Sequence, residues 1–123
     1  MARHNELGKR GEDIAVEYLQ KQGYVIRERG WRAGHCEIDI IAITPDMLTL
    51  VFVEVKTRMS NELIAPELAV NRAKILNIAR AADRYVKMHS SDEELRFDII
   101  TIVGADFKVE HIADAFNPLL LFR

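Results

Sequence analysis

An acid and a base stand two residues apart in one apolar stretch of the chain, VFVEVKTR at residues 51–58. Its β-branched and aromatic residues predict a strand. Glu54 and Lys56 then project from the same face of that strand, where a carboxylate can bind a cation and an ammonium can stabilise a phosphate. The same triplet also occurs in ordinary edge-strand ion pairs, so a chemical role needs support from elsewhere in the sequence.

Two further acids, Glu37 and Asp39, lie in the preceding apolar run, EIDIIAIT. A Pro-Asp-Met turn separates the two runs, which predicts a β-hairpin. If the turn is centred between residues 46 and 47, opposed residues have numbers that add to 93. Asp39 then lies across from Glu54 and Glu37 across from Lys56, and all four share one face because opposed residues of an antiparallel pair project the same way.

Opposed carboxylates repel each other. With Cβ atoms about 5 Å apart, the repulsion is about 3 kcal/mol at an effective dielectric constant of about 20. Water, a proton shared between the two groups or a bound divalent cation can offset it. Carboxylate oxygens favour Mg²⁺ or Mn²⁺ over Zn²⁺, so we expect Asp39 and Glu54 to be ligands of Mg²⁺ or Mn²⁺, with Lys56 beside them.

A helix near the start of the chain supplies a fourth acid. Apolar residues recur at helical spacing from Glu6 to Gln22, with Asn5 as a candidate N-cap and Gly23 placed as a C-terminal stop. Glu12 lies on the apolar face of this helix and is expected to point at the sheet, where the same cation would pair with it. A capping or surface acid is the alternative interpretation of Glu12.

The remaining segments complete an α/β pattern. We predict a strand at YVIRER, a loop at GWRAGH, an amphipathic helix from Pro66 to about Met88, and strands at FDIITIV and FKVEHIA. The order α-β-β-β-α-β-β indicates a central mixed β-sheet flanked by helices, in a single domain that spans residues 1–123.

Composition narrows the class of protein. The chain has 123 residues, a net charge of −2 and a single cysteine, Cys36, so an internal disulfide and a thiolate zinc site are both excluded. No apolar run reaches the roughly 20 residues of a membrane helix, and the charged N-terminus lacks the apolar segment of a secretory leader. We therefore expect a soluble, cytoplasmic protein.

Charge is unevenly distributed along the chain. Residues 36–55 hold four acids and neither lysine nor arginine, whereas residues 56–89 hold seven lysines and arginines against three acids. An acidic segment beside a basic one suits a cation and a phosphate bound together. Arg58, Arg72 and Lys74 of the basic segment are the predicted nucleic-acid contacts, and the alternative is that they are solvated surface charges.

Two other residue pairs carry groups capable of chemistry. His35 and Cys36 suggest a metal pair or a cysteine nucleophile, but neighbouring strand residues face opposite ways and no second ligand cluster is present. Trp31 and Arg32 would suit stacking on a base, although a half-buried tryptophan in a loop is the commoner outcome. We assign neither pair to the site.

The motifs GKRGEDIAVEYL, EIDIIA, LVFVEVKTR and RFDII, together with the helix that carries Lys74, resemble the PD-(D/E)xK nuclease superfamily. Within it they are similar to the small bacterial UPF0102 (YraN-like) family, which is related to archaeal Holliday junction resolvases. The resemblance covers the chain from Gly8 to Phe116. It departs from the family pattern Gly-Glu-Ile-Asp, because two residues, His-Cys, separate Gly34 from Glu37.

The resemblance implies a restriction-endonuclease-like fold and a Mg²⁺- or Mn²⁺-dependent DNA endonuclease that leaves a 5′-phosphate. It matches Asp39 to the first acid of the motif, Glu54 to the second and Lys56 to its lysine. It matches Glu12 to the helix-one glutamate of the resolvase-like branch, which suggests selectivity for branched DNA. A junction enzyme needs two active sites, so a homodimer would serve this function.

Two other functions fit the same sequence. One is a nucleic-acid-binding module of the same fold that does little or no catalysis and acts through a partner; its binding would tolerate EDTA and loss of Glu54. In the other, the acids are structural and the apolar tail PLLLF belongs to an oligomer interface. The intact set of acids favours the enzyme.

Overall fold

The computed structural model describes residues 2–58 and 71–118, with side chains from residue 8 onward. Its elements are helices α1 (Ala2–Lys21) and α2 (Arg72–His89) and strands β1 (Val25–Ala33), β2 (Cys36–Ile43), β3 (Thr49–Arg58), β4 (Glu94–Val103) and β5 (Lys108–Ile112). They follow one another as α1-β1-β2-β3-α2-β4-β5. This order confirms the predicted α-β-β-β-α-β-β pattern.

The described strands form one five-stranded sheet in the order β1-β2-β3-β4-β5. β3 and β4 are parallel, and the other neighbouring strands are antiparallel. A parallel pair requires a crossover connection, and α2 lies in the chain between these two strands. The predicted α/β class, a mixed sheet flanked by helices, is confirmed and agrees with the restriction-endonuclease-like fold.

The two helices pack on opposite faces of the sheet. Val51 and Val53 of β3 belong to the core under α1, whereas Leu50 and Phe52, which alternate with them, belong to the core under α2. The helices contribute the buried residues Ala15, Val16 and Leu19 from α1 and Ile78, Ala81, Ala82 and Tyr85 from α2. Because β3 is buried on both faces, its sequence is almost continuously apolar, and Glu54 interrupts that run.

α1 begins earlier than predicted and ends where predicted. It starts at Ala2, so Asn5 lies inside the helix and its prediction as the N-cap is wrong. The residues before Asn5 contain neither glycine nor proline, so nothing in them stops the helix from extending. At the other end Gly23 has a φ of +94°, and its N–H donates to the carbonyl of Gln20 at 3.0 Å, which is the expected glycine stop.

α2 begins later than predicted. Asn71 is extended, with φ −79° and ψ 172°, and its side-chain Oδ1 accepts a hydrogen bond from the backbone N–H of Lys74 at 2.9 Å. Asn71 is therefore the N-cap of a helix that starts at Arg72. The predicted start, Pro66, lies outside the described residues.

The predicted loop GWRAGH is mostly strand. β1 continues to Ala33, and only Gly34 and His35 form the turn into β2. Gly30 and Gly34 both have positive φ, +57° and +62°. Only the second glycine ends a strand: across Gly30 the β1–β2 pairing continues, with Arg29 opposite Ile40 and Trp31 opposite Ile38.

The side chains of β1 change faces at Gly30. Arg29 reaches the acids of α1, whereas Trp31 packs edge-on against Tyr85 of α2 with ring centroids 5.4 Å apart. Residues two apart in a regular strand share a face. The left-handed conformation of Gly30 therefore interrupts the alternation between Arg29 and Trp31.

The same break appears on β2. Ile40 lies in the core under α1 and Ile38 in the core under α2, and Asp39 lies between them. The flanking backbone pairs place Asp39 at the level of Gly30 on the neighbouring strand. The break in strand geometry therefore falls at one of the predicted metal ligands.

Candidate metal site

The β2–β3 hairpin has the predicted register. Its backbone pairs begin with Ile43 opposite Leu50 and end with Ile40 opposite Val53. This is the register that the sequence predicts from a turn centred between residues 46 and 47. The next position along each strand holds an acid, and there the pairing stops.

Asp39 binds β3 through its side chain instead of its backbone. Its Oδ2 accepts a hydrogen bond from the backbone N–H of Val55 at 2.8 Å. The bond holds the carboxylate beside Glu54, close enough for hydrogen bonding between the two acids to affect the pKa of Glu54. The structure therefore brings Asp39 and Glu54 together, as the register predicts.

The carboxyl group of Glu54 is buried and incompletely hydrogen-bonded. The residue is 4% exposed, and its Oε2 has no hydrogen-bond partner in the part of the chain that the structure describes. Lys74 Nζ lies 3.5 Å from this oxygen, which is an ion-pair distance but long for an N–H···O bond. A buried carboxylate oxygen without a partner is costly, and a bound cation would satisfy it.

The two acids also share an electrostatic environment. Burial raises the pKa of Glu54 to about 8; hydrogen bonding and charge from Asp39 act in the same direction, and the charges of Lys74 and Lys56 oppose them. At neutral pH the pair therefore holds a proton when no cation is bound. Water, a shared proton and a divalent cation are the three ways of offsetting the repulsion between the two carboxylates. A bound divalent cation would replace the shared proton.

Lys56 is half-buried and lies two residues beyond Glu54 on β3, so both project from one face. Its predicted opposition to Glu37 is wrong, because the β2–β3 pairing ends before it reaches either residue. Glu37 instead forms an ion pair with Arg32 of β1, at 3.2 Å.

Glu12 faces the sheet, as its place on the apolar side of α1 predicts, with a side chain only 25% exposed. Arg29 Nε lies 3.4 Å from its Oε1, and Nη2 of the same guanidinium donates to Asp13 Oδ1. Burial raises the pKa of Glu12, and the charge of Asp39 raises it further while Arg29 opposes both. Glu12 is thus electrostatically coupled to the site while its carboxylate is paired with Arg29.

The three predicted nucleic-acid contacts have different surroundings. Arg58 ends β3 half-buried, and its carbonyl accepts a hydrogen bond from Gly104 N at 2.8 Å. Arg72 is exposed at the start of α2. Lys74 turns towards Glu54, a direction that helical spacing alone did not reveal. The contacts of these residues with nucleic acid stay predictions.

The ligand atoms fit a hard divalent cation. Within the described ranges, no group of three or more His, Cys, Asp and Glu side chains is arranged to hold a metal ion. Two carboxylates, one with an orphaned oxygen, suit Mg²⁺, which is commonly held by one or two carboxylates and keeps several waters. A metal site with thiolate and imidazole ligands is disfavoured. Cys36 Sγ lies 3.8 Å from Asn77 Oδ1, and His35 is exposed in the turn between β1 and β2.

A second buried acid, Asp98 of β4, was not identified from the sequence. Arg96 donates two hydrogen bonds to its carboxylate, at 2.9 and 2.8 Å, and His111 Nε2 lies 2.7 Å from Oδ2. Asp114 N donates a fourth contact at 2.9 Å. The motif RFD contained the signal, because an acid and a base two residues apart in an apolar strand share a face, as Glu54 and Lys56 do.

An apolar groove of about 610 Å³ lies between α2, β4 and residues 114–118. Its lining includes Ala82, Val86, Phe97 and Phe116. None of the four predicted catalytic residues is among its lining residues. The groove is therefore distinct from the acidic site.

No helix in the described ranges is both long and apolar enough to span a membrane. Comparison with known proteins relates the chain to one family, described as "Uncharacterised protein family UPF0102", which matches residues 11–102. All of the predicted catalytic and nucleic-acid-contacting residues fall within that span.

Individual relatives extend the similarity over almost the whole chain. A UPF0102 protein of Bacteroides thetaiotaomicron is 51% identical over 122 residues, which are 98% of this chain and 99% of the relative. One of Flavobacterium psychrophilum is 48% identical over 118 residues, 94% and 98% of the two chains. One of Porphyromonas gingivalis is 45% identical over 127 aligned positions, 100% and 92% of the two chains.

Proposed function

The chain belongs to the UPF0102 family, and we propose that it is a Mg²⁺- or Mn²⁺-dependent endonuclease that hydrolyses phosphodiester bonds of DNA. One observation carries the proposal: two adjacent carboxylates lie beside two lysines, and one of these acids is buried with an oxygen that has no hydrogen-bond partner among the described residues. Burying such a pair is costly to the fold. A divalent cation that binds nucleic-acid phosphate accounts for that cost.

Each residue of the site has a proposed role. Asp39 and Glu54 hold the cation, and Glu12 joins them directly or through a water molecule. A divalent cation bound there supplies charge stabilisation to the phosphate and acidifies water. Lys56 orients the attacking water or stabilises the negative charge that develops on the phosphate.

The substrate is proposed to be branched or flapped DNA, and the product to carry a 5′-phosphate. The product rests on the resemblance of the motifs to the PD-(D/E)xK superfamily, and the branched substrate on their resemblance to archaeal junction resolvases. Arg58, Arg72 and Lys74 would contact the DNA backbone, and a homodimer would present two active sites to the two strands of a junction.

The proposal is tested by incubating the purified protein with branched, flapped, single-stranded and double-stranded DNA in Mg²⁺, Mn²⁺ or EDTA. We expect cleavage that requires the cation and that falls at least about 100-fold in Asp39→Asn and Glu54→Gln. Asp83→Asn is the matched control, because Asp83 is an exposed acid of α2 that pairs only with Lys87 among the described residues. Cleavage that survives either site substitution would overturn the site assignment.

The same experiment separates the enzyme from a binding module. A protein that binds DNA equally well in EDTA and with Glu54→Gln, and that cleaves none of the substrates, would be a nucleic-acid-binding module of this fold.

Lys56 has a separable role, which Lys56→Met tests. We expect kcat to fall about 100-fold or more, because the residue acts on charge that develops during the reaction. Calorimetric Mn²⁺ affinity should stay within a few-fold of the wild-type value. A loss of Mn²⁺ binding as large as the loss of activity would instead place Lys56 in holding the acids together.

A further inference from the structure

The cation nearest the acidic pair comes from a different element than the motif lysine. Lys74 Nζ lies 3.5 Å from Glu54 Oε2, and it is the one described Lys, Arg or His within 4 Å of that carboxylate. The atom it approaches is the orphaned oxygen, which is where a divalent cation would add a ligand.

The backbone of Lys74 is held in place, and its side chain is partly exposed. Its N–H is held by the N-cap Asn71, so its place in the first turn of α2 is determined. The side chain is 41% exposed, against 3% for that of Glu54. A lysine has a flexible four-carbon stem and three rotatable donors, so the ammonium can leave the carboxylate for the solvent side without any backbone change.

Two cations would compete for one carboxylate. Without a divalent cation, the ammonium of Lys74 lies 3.5 Å from Glu54 Oε2 and offsets negative charge on the Asp39–Glu54 pair. When a divalent cation binds the two carboxylates, its charge offsets theirs, and the ammonium loses its anionic partner. A DNA phosphate arriving at the same place offers it a new partner.

We propose that Lys74 has two positions: counter-ion of the Asp39–Glu54 pair when no divalent cation is bound, and DNA phosphate contact when one is bound. The inference rests on the proposed function and adds a specific consequence to it. Occupancy of the metal site would control whether Lys74 is available to DNA, so cation binding and DNA binding reinforce each other.

The experiment measures DNA affinity by fluorescence anisotropy in EDTA and in Ca²⁺, for wild type, Lys74→Met and Lys87→Met. Lys87 provides the matched control, because it is a lysine on the same helix with a side chain 75% exposed. Recovery of intact DNA after each titration shows that binding alone was measured, and unfolding temperatures show that each variant is folded.

In EDTA we expect Lys74→Met and Lys87→Met to bind DNA with equal affinity. In Ca²⁺ we expect Lys74→Met to bind DNA about 5- to 10-fold more weakly than Lys87→Met. In Ca²⁺ the salt dependence of binding should also fall by about one phosphate contact in Lys74→Met. Equal losses in EDTA and Ca²⁺ would make Lys74 an ordinary phosphate contact and overturn the proposal, as would no loss in either condition.

Failure of the inference is distinguishable from failure of the proposed function. If wild type cleaves DNA with Mg²⁺ or Mn²⁺, and Lys74→Met loses the same DNA affinity with and without divalent cation, only the two-position role is wrong. If wild type neither cleaves DNA nor changes its DNA affinity with divalent cation, the metal site and the two-position role are both wrong.

Discussion

At the scale of single residues, Glu54 is central to the proposed chemistry, and its burial is costly to stability. Its carboxyl group is buried at 4% exposure beside a second acid, and burial is the main reason that its pKa rises to about 8. Natural sequences retain such groups mainly at functional sites. The cost should be measurable in the protein without metal.

Glu54→Gln should stabilise the metal-free protein at alkaline pH. The pKa of Glu54 is raised in the folded state from an ordinary value of 4.5 to about 8. The folded protein therefore retains a proton that the unfolded chain releases, and stability falls as pH rises from about 4.5 to about 8. Glutamine removes this dependence, so thermal unfolding in EDTA should give similar stabilities near pH 5 and a variant more stable by about 2–4 kcal/mol near pH 9.

The difference between the two unfolding curves isolates Glu54, because every other titrating group is common to both proteins. Stability curves of the two proteins that stay parallel from pH 5 to 9 would show that folding does not raise the pKa of Glu54. Addition of Mn²⁺ should raise the stability of wild type and leave Glu54→Gln almost unchanged.

At the scale of elements, α1 is positioned against β3 by a close contact beside the acidic site. A Cβ atom added at Gly11 would lie 2.0 Å from Thr57 Oγ1 and 3.2 Å from Thr57 Cβ. Thr57 follows Lys56 directly in the chain. The absence of a side chain at Gly11 therefore sets how closely the helix that carries Glu12 approaches the strand that carries Glu54.

Gly11→Ala should destabilise the protein by about 1–3 kcal/mol, because the added methyl group forces α1 away from β3. Gly8→Ala is the control within the same helix: a Cβ there meets nothing within 4 Å, and alanine is the better helix former by about 1 kcal/mol. Denaturant unfolding should show a loss at the first position and a gain at the second.

A double-mutant cycle locates the cause of the loss. Thr57→Ala removes the nearest clashing atom and should restore part of the stability lost in Gly11→Ala. Additive effects of the two substitutions would mean that the clash is not the source of the destabilisation.

Asp98 links β4 to β5 through His111, whose Nε2 lies 2.7 Å from Asp98 Oδ2. Asp98→Asn should cost about 3 kcal/mol, because Arg96 and His111 lose a buried anionic partner. Asp83→Asn should change stability by less than about 1 kcal/mol, since that acid pairs at the surface. Urea unfolding of the three proteins at pH 7 provides the comparison.

The pH dependence of the Asp98→Asn effect has a definite sign. Burial alone would raise the pKa of Asp98, but hydrogen bonds from His111, Arg96 and Asp114 N hold it below its ordinary value of 3.8. Its contribution is therefore present above about pH 4 and is lost as pH falls through the lowered pKa. A stability difference that stays constant down to pH 2 would contradict this role.

The parts of the site that were predictable depend on local rules. Turn composition and two-residue periodicity determine the register that brings Asp39 near Glu54, and helical periodicity determines which face of α1 holds Glu12. The parts that were missed depend on tertiary contacts. The sequence does not distinguish a glycine that ends a strand from one that bends it, as Gly30 does at positive φ. The direction of the Lys74 side chain depends on how α2 packs on the sheet.

At the scale of the whole molecule, the sheet brings two charge patterns together. The acidic segment, residues 36–55, forms β2 and most of β3, and the basic α2 follows β3 in the chain and packs on the same sheet. Lys74 of the basic helix forms an ion pair with Glu54 of the acidic segment. A net charge of −2 therefore coexists with a local arrangement suited to a cation and a phosphate.

The central claim is that Asp39 and Glu54 together bind a divalent cation. The most direct test is anomalous diffraction near the manganese absorption edge from crystals soaked in millimolar Mn²⁺, with Glu54→Gln crystals as the control. We predict an anomalous peak within bonding distance of both carboxylates in wild type and no peak there in the variant. Ordered carboxylates with no peak between them in wild type, or the same peak in Glu54→Gln, would contradict the claim.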